Sequence, residues 1–427
     1  MRCFGVATSS GYAVMPGGLT RSAPVKGGYV VSNYAGGISK DTWVLTSVPQ
    51  KHTSMWLQAD RIERTVKSSY HLPSRAAENL FWVGRYAERA EASARLLRVI
   101  VNYLNNGESF GSDEEALTES MPILLGTLTH VTMTYPGFVG KGSDARKAQP
   151  LEELGSVILD GNRSGSLRFN LDSLTQSAYA VRDLWSSDTW RVIQGLGGHL
   201  NLSKNGSRPG LQTVQTRLNQ LITTLMAFVG LNTESINHEA GWLMLDMGRR
   251  LERAMLTIAL IRAMFGSKYR DSVEYLLLDA TLLTTENVIT YRRRYRSHLR
   301  LQTVLDLLML DSTNPRSLTY QMDRLQQHIA QLPRQKAACS LSEEERLVLD
   351  ASTQLRLINT ATLVQSKNGR YTRENLDGFL ASLSGLLSQL SPVLTQYYFT
   401  HVRVPYQLLT SASLPAPNTD DPEEGTP

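Results

Sequence analysis

Cysteine is almost absent from this sequence. Of 427 residues only Cys3 and Cys339 carry a thiol. Two are too few for a disulfide framework, and with no Cys-x-x-Cys pair there is no thiolate metal site; the usage favours a reducing compartment. Long apolar runs are lacking too. The uncharged segment from Ser120 to Gly140 reaches membrane length, but Pro122, Gly126, Thr129, His130, Thr134, Tyr135 and Pro136 make it too polar to span a bilayer. The opening MRCFGVATSSGYAV has no continuous apolar core like that of a secretory leader. A cytoplasmic chain without a membrane partner is the expectation.

Charge of one sign is also in short supply. The formal net charge is +5, a small excess beside the dense basic footprint of a dedicated nucleic-acid binder, so no nucleic-acid partner is expected. Lysine contributes little of the basic content, 10 residues against 34 arginines. Arginine's planar fork pairs two-fold with carboxylate or phosphate, which fits either buried ion-pair networks or an anion site. Catalytic signatures are missing as well: there is no phosphate-binding Gly-x-x-x-x-Gly-Lys-Ser/Thr loop, no Gly-x-Ser-x-Gly elbow and no His-Glu-x-x-His helix. No Glu-x-x-His pair offers a di-metal bundle site. His238-Glu239 stands alone and reads as the approach to a helix start, because a zinc site needs three or four ligands.

What is present is a chain with 41% hydrophobic residues, enough for a large core, in zones of different pattern. Residues 1–50 are rich in Gly, Ser, Thr and Val, with alternating runs at Gly28 to Val31 and Thr42 to Val48 broken by Pro16-Gly17-Gly18 and Gly36-Gly37, which are strand and turn signals. Residues 51–72 read as a linker. From 73 to 406 apolar residues recur at i, i+3, i+4 and i+7, the helical period. Residues 407–427 are Pro-rich and acidic with nothing to bury, and read as a disordered tail. Breakers at Asn105 to Asp113, Pro136 to Pro150, Gly161 to Ser166, Gly195 to Gly210, Asp311 to Pro315, Leu332 to Ser340 and Lys367 to Arg370 cut the helical zone into roughly ten helices. The fold class expected is all-α, a multi-helix antiparallel bundle. Ser74 and Ser342 are its clearest start signals, the latter followed by acids that complement a helix dipole.

The chemistry-bearing feature is a repeat. Gly84-Arg85-Tyr86-Ala87-Glu88-Arg89-Ala90 recurs as Gly248-Arg249-Arg250-Leu251-Glu252-Arg253-Ala254 at an offset of 164 residues. On a helix the i, i+3 and i+4 positions share a face, so Arg85, Glu88 and Arg89 form one cluster and Arg249, Glu252 and Arg253 another. The glycine heading each copy costs about 1 kcal/mol relative to Ala in a helix interior, and close approach of another backbone is its expected compensation. Leu80, Val83, Ala87, Ala90, Ala94 and Leu97 stripe the first copy, while Leu245, Leu251, Leu256, Ile258, Leu260 and Ile261 nearly surround the charges of the second. Two readings stay open: an interhelical Arg–Glu network that fixes packing, or an anion or carboxylate site. A third cluster, Arg292, Arg293 and Arg296 between Tyr291 and Arg300, reads as one helix with Arg300 on its loose extension and suits phosphate or a polycarboxylate. After it, Asp311 to Arg316 reads as a turn and cap with Pro315 at the first helical position.

Three stretches, SRAAENLFWVGRYAERAEASARLLR near Ser74, GWLMLDMGRRLERAMLTIALIR from Gly241, and YRRRYRSHLRLQTVLDLLMLDSTNPRSL from Tyr291, closely resemble the alpha-E family, an all-α domain named for its Glu-Arg motif. The first fifty residues, with Met15-Pro16-Gly17-Gly18-Leu19-Thr20-Arg21 and Gly36-Gly37-Ile38-Ser39-Lys40-Asp41-Thr42-Trp43, resemble the C-terminal end of circularly permuted ATP-grasp proteins. Nearly the whole ligase is missing here, so no complete ATP-grasp site can form. The resemblance implies a helical partner in an amide-ligation system of peptide-forming or peptide-modifying type. Its partners would be a circularly permuted ATP-grasp ligase and transglutaminase-like or amidohydrolase proteins, with ATP and Mg needed only by the separate ligase and no cofactor or metal by this chain. The alternative is an enzyme acting on a carboxylate or acyl-phosphate through the Glu-Arg clusters. Candidate site residues are Arg85, Glu88, Arg89, Arg249, Glu252, Arg253, Arg292, Arg293, Arg296 and Arg316.

Overall fold

The structure, a computed structural model, describes residues 5–8, 11–14, 18–23, 38–42, 72–106, 114–201, 210–296, 298–332, 340–366 and 372–399, which divide into the units Met1–His71 and Leu72–Pro427. In the first unit β1 (Gly5–Thr8) pairs antiparallel with β2 (Gly11–Val14), and β3 (Gly18–Ser22) with β4 (Ile38–Thr42). The expected strand at Gly28 to Val31, most of that at Thr42 to Val48, the linker after Gln50, both cysteines and the acidic tail lie outside the described residues.

The second unit is all-α. Its helices are α1 (Ser74–Asn106), α2 (Glu114–Thr132), α3 (Ser143–Ala148), α4 (Pro150–Leu159), α5 (Leu167–Ala180), α6 (Ser187–Leu196), α7 (Leu211–Ser235), α8 (Ala240–Phe265), α9 (Asp271–Thr284), α10 (Val288–Tyr295), α11 (Leu301–Leu305), α12 (Leu318–Gln331), α13 (Glu343–Leu357), α14 (Thr360–Val364) and α15 (Glu374–Leu394). The described residues thus hold more helices than the breakers predict, because short helices occupy stretches that composition marks as loop or as one continuous run. Helix α3 sits inside the expected Pro136 to Pro150 loop. Arg296 takes φ 64° and ends α10, so Arg300 precedes a new helix instead of extending the arginine-rich one. Pro315 is not helical either. The side chain of Asn314 accepts the Arg316 N–H, and Ser317 caps α12 by accepting the Tyr320 N–H at 3.1 Å. Ser342 does open α13, in a capping box with Glu345.

Helix α1 is the axis of the unit, packing against α2, α5, α7, α8 and α9. Its predicted stripe, Leu80 through Leu97, is buried throughout. The antiparallel expectation holds where α1 meets α7, with Asn102 against Gln215 and Asn105 against Gln212. It holds again where α8 meets α12, with Asp246 against His328 and Arg250 against Gln321. Among the described residues the stretch Glu374–Phe399 alone is long and apolar enough to cross a membrane. Leu376, Leu380, Leu383, Leu387 and Leu390 are buried at helical spacing while Ser382, Gly385, Ser388 and Gln389 are exposed, the pattern of an amphipathic bundle helix.

Candidate functional site

The two Glu-Arg helices meet at their glycines. A Cβ on Gly84 would strike the Leu245 carbonyl oxygen of α8, and one on Gly248 would strike the Phe81 carbonyl oxygen of α1. Phe81 and Leu245 are themselves equivalent under the repeat, so the contact is reciprocal. Contacting pairs climb together along both helices, from Phe81 with Gly248 to Glu91 with Arg253. Unlike the antiparallel contacts above, α1 and α8 therefore run parallel, related by an approximate two-fold axis along their length.

The same symmetry governs the charges. Glu252 accepts from Arg85 Nε at 2.5 Å and from Arg89 Nε at 2.8 Å. Glu88, its counterpart, accepts from Arg249 Nε at 3.2 Å and two-fold from Arg253, Nε at 2.9 Å and Nη2 at 2.7 Å. Both glutamates, Arg85 and Arg249 are buried. Each cluster of two arginines and one glutamate is thus not self-contained; it is closed by exchanging partners across the crossing, and Arg89 is half-buried at its rim. A buried carboxylate that accepts from two guanidiniums has its desolvation offset.

Around this symmetric core the two sides differ. Where α8 has Asp246 and Arg250, α1 has Trp82 and Tyr86. Arg249 and Arg250 bind Asp246 at 3.1 and 2.9 Å, whereas Arg85 lies 5.0 Å from the Trp82 ring centre and Trp82 stacks on Tyr86. Where α1 has Glu91 and Arg95, α8 has Met255 and Ala259. Glu91 gathers three guanidiniums: Arg95 Nε at 2.7 Å, Arg316 Nη2 at 2.7 Å and Arg253 Nη2 at 3.7 Å. Burial pushes the Glu91 carboxyl up, but Arg316, Arg253 and Arg95 overcome this and hold it at about 2. Burial acts on Asp246 in the same sense and is outweighed by His328, Arg250 and Arg249, which hold it below the usual carboxylate range.

Two loops complete that side. Glu286, at φ 56°, turns its carboxylate to Arg95 and Arg98. Asn287 accepts from Asn314 Nδ2 at 2.9 Å, tying this turn to the segment that carries Arg316. A cavity of about 50 Å³ opens between them, lined by Glu88, Glu91, Arg95, Arg253, Thr284 and Arg316 together with apolar side chains of α1, α2 and α8.

Of the residues singled out from sequence, the structure brings Glu88, Arg253 and Arg316 to this cavity, with Arg249 behind Glu88. Arg85, Arg89 and Glu252 close the opposite side of the crossing. Arg292 and Arg296 line a separate cleft of about 330 Å³ with Asp279, Tyr275 and Tyr291, while Arg293 is exposed and lines neither. Sequence reasoning missed Glu91, Arg95, Asp246, Glu286 and His328. The first two were legible as an i, i+4 Glu-Arg pair in the helix already singled out; Glu286 and His328 carry no local signal.

The fold and its paired motif define a helical domain built on a Glu-Arg crossing, and the chain belongs to the alpha-E family, described as a predicted alpha-helical domain with a conserved ER motif, whose match covers residues 72–399. It is 31% identical over 407 residues to the uncharacterised protein Rv2567 of Mycobacterium tuberculosis (strain ATCC 25618 / H37Rv), the alignment covering 92% of this chain and 45% of that protein. The uncharacterised protein Mb2597 of Mycobacterium bovis is similar to the same extent. The chain therefore spans less than half the length of these curated relatives. No solved structure matches it.

Proposed function

We propose that the helical domain is an accessory partner of an amide-ligating ATP-grasp enzyme in peptide synthesis or modification, with no catalysis of its own. The ligase connection rests on the resemblance of residues 1–50 to the end of a permuted ATP-grasp protein. The observation that carries the non-catalytic part is the crossing itself: Glu88 and Glu252 are buried and spent on arginines of the opposite helix. A general base must be free to take a proton near neutral pH, and Glu91, held at about 2, is poorly placed to do so. An enzyme acting on acyl-phosphates through these glutamates is correspondingly less supported.

The test is a pull-down of the full chain with an intact circularly permuted ATP-grasp protein from the same cell, followed by ligase turnover with and without this chain. Stable association with altered turnover is the expected result. Absence of binding with unchanged turnover overturns the proposal.

A further inference from the structure

The side of the crossing that carries Glu91 has more charge than holding two helices together demands. On the opposite side Glu252 with Arg85 and Arg89 closes the helix pair without any counterpart to Glu91, Arg95 or Arg316; Met255 and Ala259 stand at the two α8 positions. The extra groups surround a cavity whose lining carries three guanidiniums, Arg95, Arg253 and Arg316, against two carboxylates, Glu88 and Glu91; Glu286 adds a third carboxylate on Arg95 from outside the lining but shares it with Arg98. Burial lowers the pKa of the Arg316 guanidinium, and Arg253 and Arg95 beside it act in the same direction against the pull of Glu91, whereas Glu88 and Glu91 outweigh burial at Arg253 and raise it.

The remaining walls restrict what could supply the missing negative charge. Ala92, Val131, Leu256 and Leu260 are apolar. The hydroxyls of Thr257, Thr284 and Thr285 donate to the backbone carbonyls of Arg253, Ala280 and Thr281 at 2.8 Å, so they offer the cavity no free donor. Recognition by donors is thus confined to the guanidinium edge. A phosphate, with oxygens on every side, would leave some of them against aliphatic carbon, an unfavourable burial of polar atoms. A carboxylate presents both oxygens on one edge and carries carbon behind them. The volume, about 50 Å³, holds only a few water-sized groups.

We propose that this cavity is a binding site for a short aliphatic monocarboxylate, its carboxylate on the Arg316 guanidinium, which gives Nη2 to Glu91, and its carbon chain against Leu256 and Leu260. The inference is independent of any ligase partner, since it concerns only groups within the helical unit.

The test uses the full chain and calorimetric titration with acetate, propionate, butyrate and octanoate, beside inorganic phosphate and sulfate, all at matched ionic strength. Affinity is expected to rise about fourfold per methylene from acetate to butyrate, the increment of burying one CH₂, and to stop rising by octanoate, whose chain exceeds the cavity. Phosphate and sulfate should bind at least tenfold more weakly than butyrate. Ala92→Phe, which fills the cavity from a half-buried position, should weaken butyrate at least tenfold. Saturable carboxylate binding with that chain-length order, lost in a folded Ala92→Phe variant, supports the site. No saturable binding, equal binding of phosphate, or unchanged affinity in Ala92→Phe overturns it. Should that variant fail to fold, the order of ligands on the native chain decides alone.

Discussion

Replacing Glu252 by Gln is the perturbation that most directly probes the crossing, because its consequence should differ from that of the equivalent change at Glu88. Arg85, 6% exposed, has Glu252 as its ion-pair partner; its other contacts, the Ser391 hydroxyl at 3.0 Å, the Met255 sulfur at 3.9 Å and the Phe81 and Trp82 rings, carry no negative charge. Removing the carboxylate leaves a buried guanidinium without a counter-charge, a situation that costs about 3–5 kcal/mol. On the Glu88 side Arg249 keeps Asp246 at 3.1 Å and Arg253 keeps Glu91 at 3.7 Å. Glu88→Gln should therefore cost less, about 1–3 kcal/mol, the penalty of a weakened buried hydrogen-bonded group. Urea denaturation of both variants followed by helical circular dichroism measures the two values. Adding Arg85→Met to Glu252→Gln should recover much of the loss, since an apolar side chain replaces the stranded charge. Equal losses in the two single variants, or a double variant whose losses simply add, would refute the argument that residual partners set the cost.

Three further outcomes follow from the same geometry. Gly84→Ala and Gly248→Ala should each destabilise by about 1–3 kcal/mol through overpacking, although helix propensity alone favours Ala by about 1 kcal/mol; melting that rises in either variant would show that the helices do not touch there. Glu91 is held at about 2 against an ordinary 4.5, so its contribution is fully present above about pH 4.5 and is lost as pH falls through about 2. That difference corresponds to about 3 kcal/mol, and acid titration of the native chain should show a loss across this window that Glu91→Gln reduces. Neutralising Arg293 or Arg296, both exposed, should change stability by no more than about 0.5 kcal/mol yet weaken ligase association, with the largest effect at low salt where screening is least; early melting with normal association would make the arginine-rich segment structural.

Much of this protein is written in its sequence, because helix periodicity is local. The stripe from Leu80 to Leu97, the Ser342 capping box and the placement of Arg85, Glu88 and Arg89 on one face each depend on residues within a turn or two of one another. The repeat at 164 residues named both halves of the crossing and the glycines that permit it. Sequence also placed Glu91 and Arg95 one turn apart, but gave no sign that they would matter more than other such pairs.

Tertiary structure decided which faces meet. Periodicity states that a helix has a charged face without stating its partner, so exchange of arginines between Glu88 and Glu252, and the parallel course of α1 and α8, emerged only from packing. The loops held the rest: a left-handed turn at Glu286 and the Asn287–Asn314 bond bring Arg316 to Glu91 across 225 residues. That convergence depends on backbone turns and long-range contacts, which no local pattern of residue types encodes.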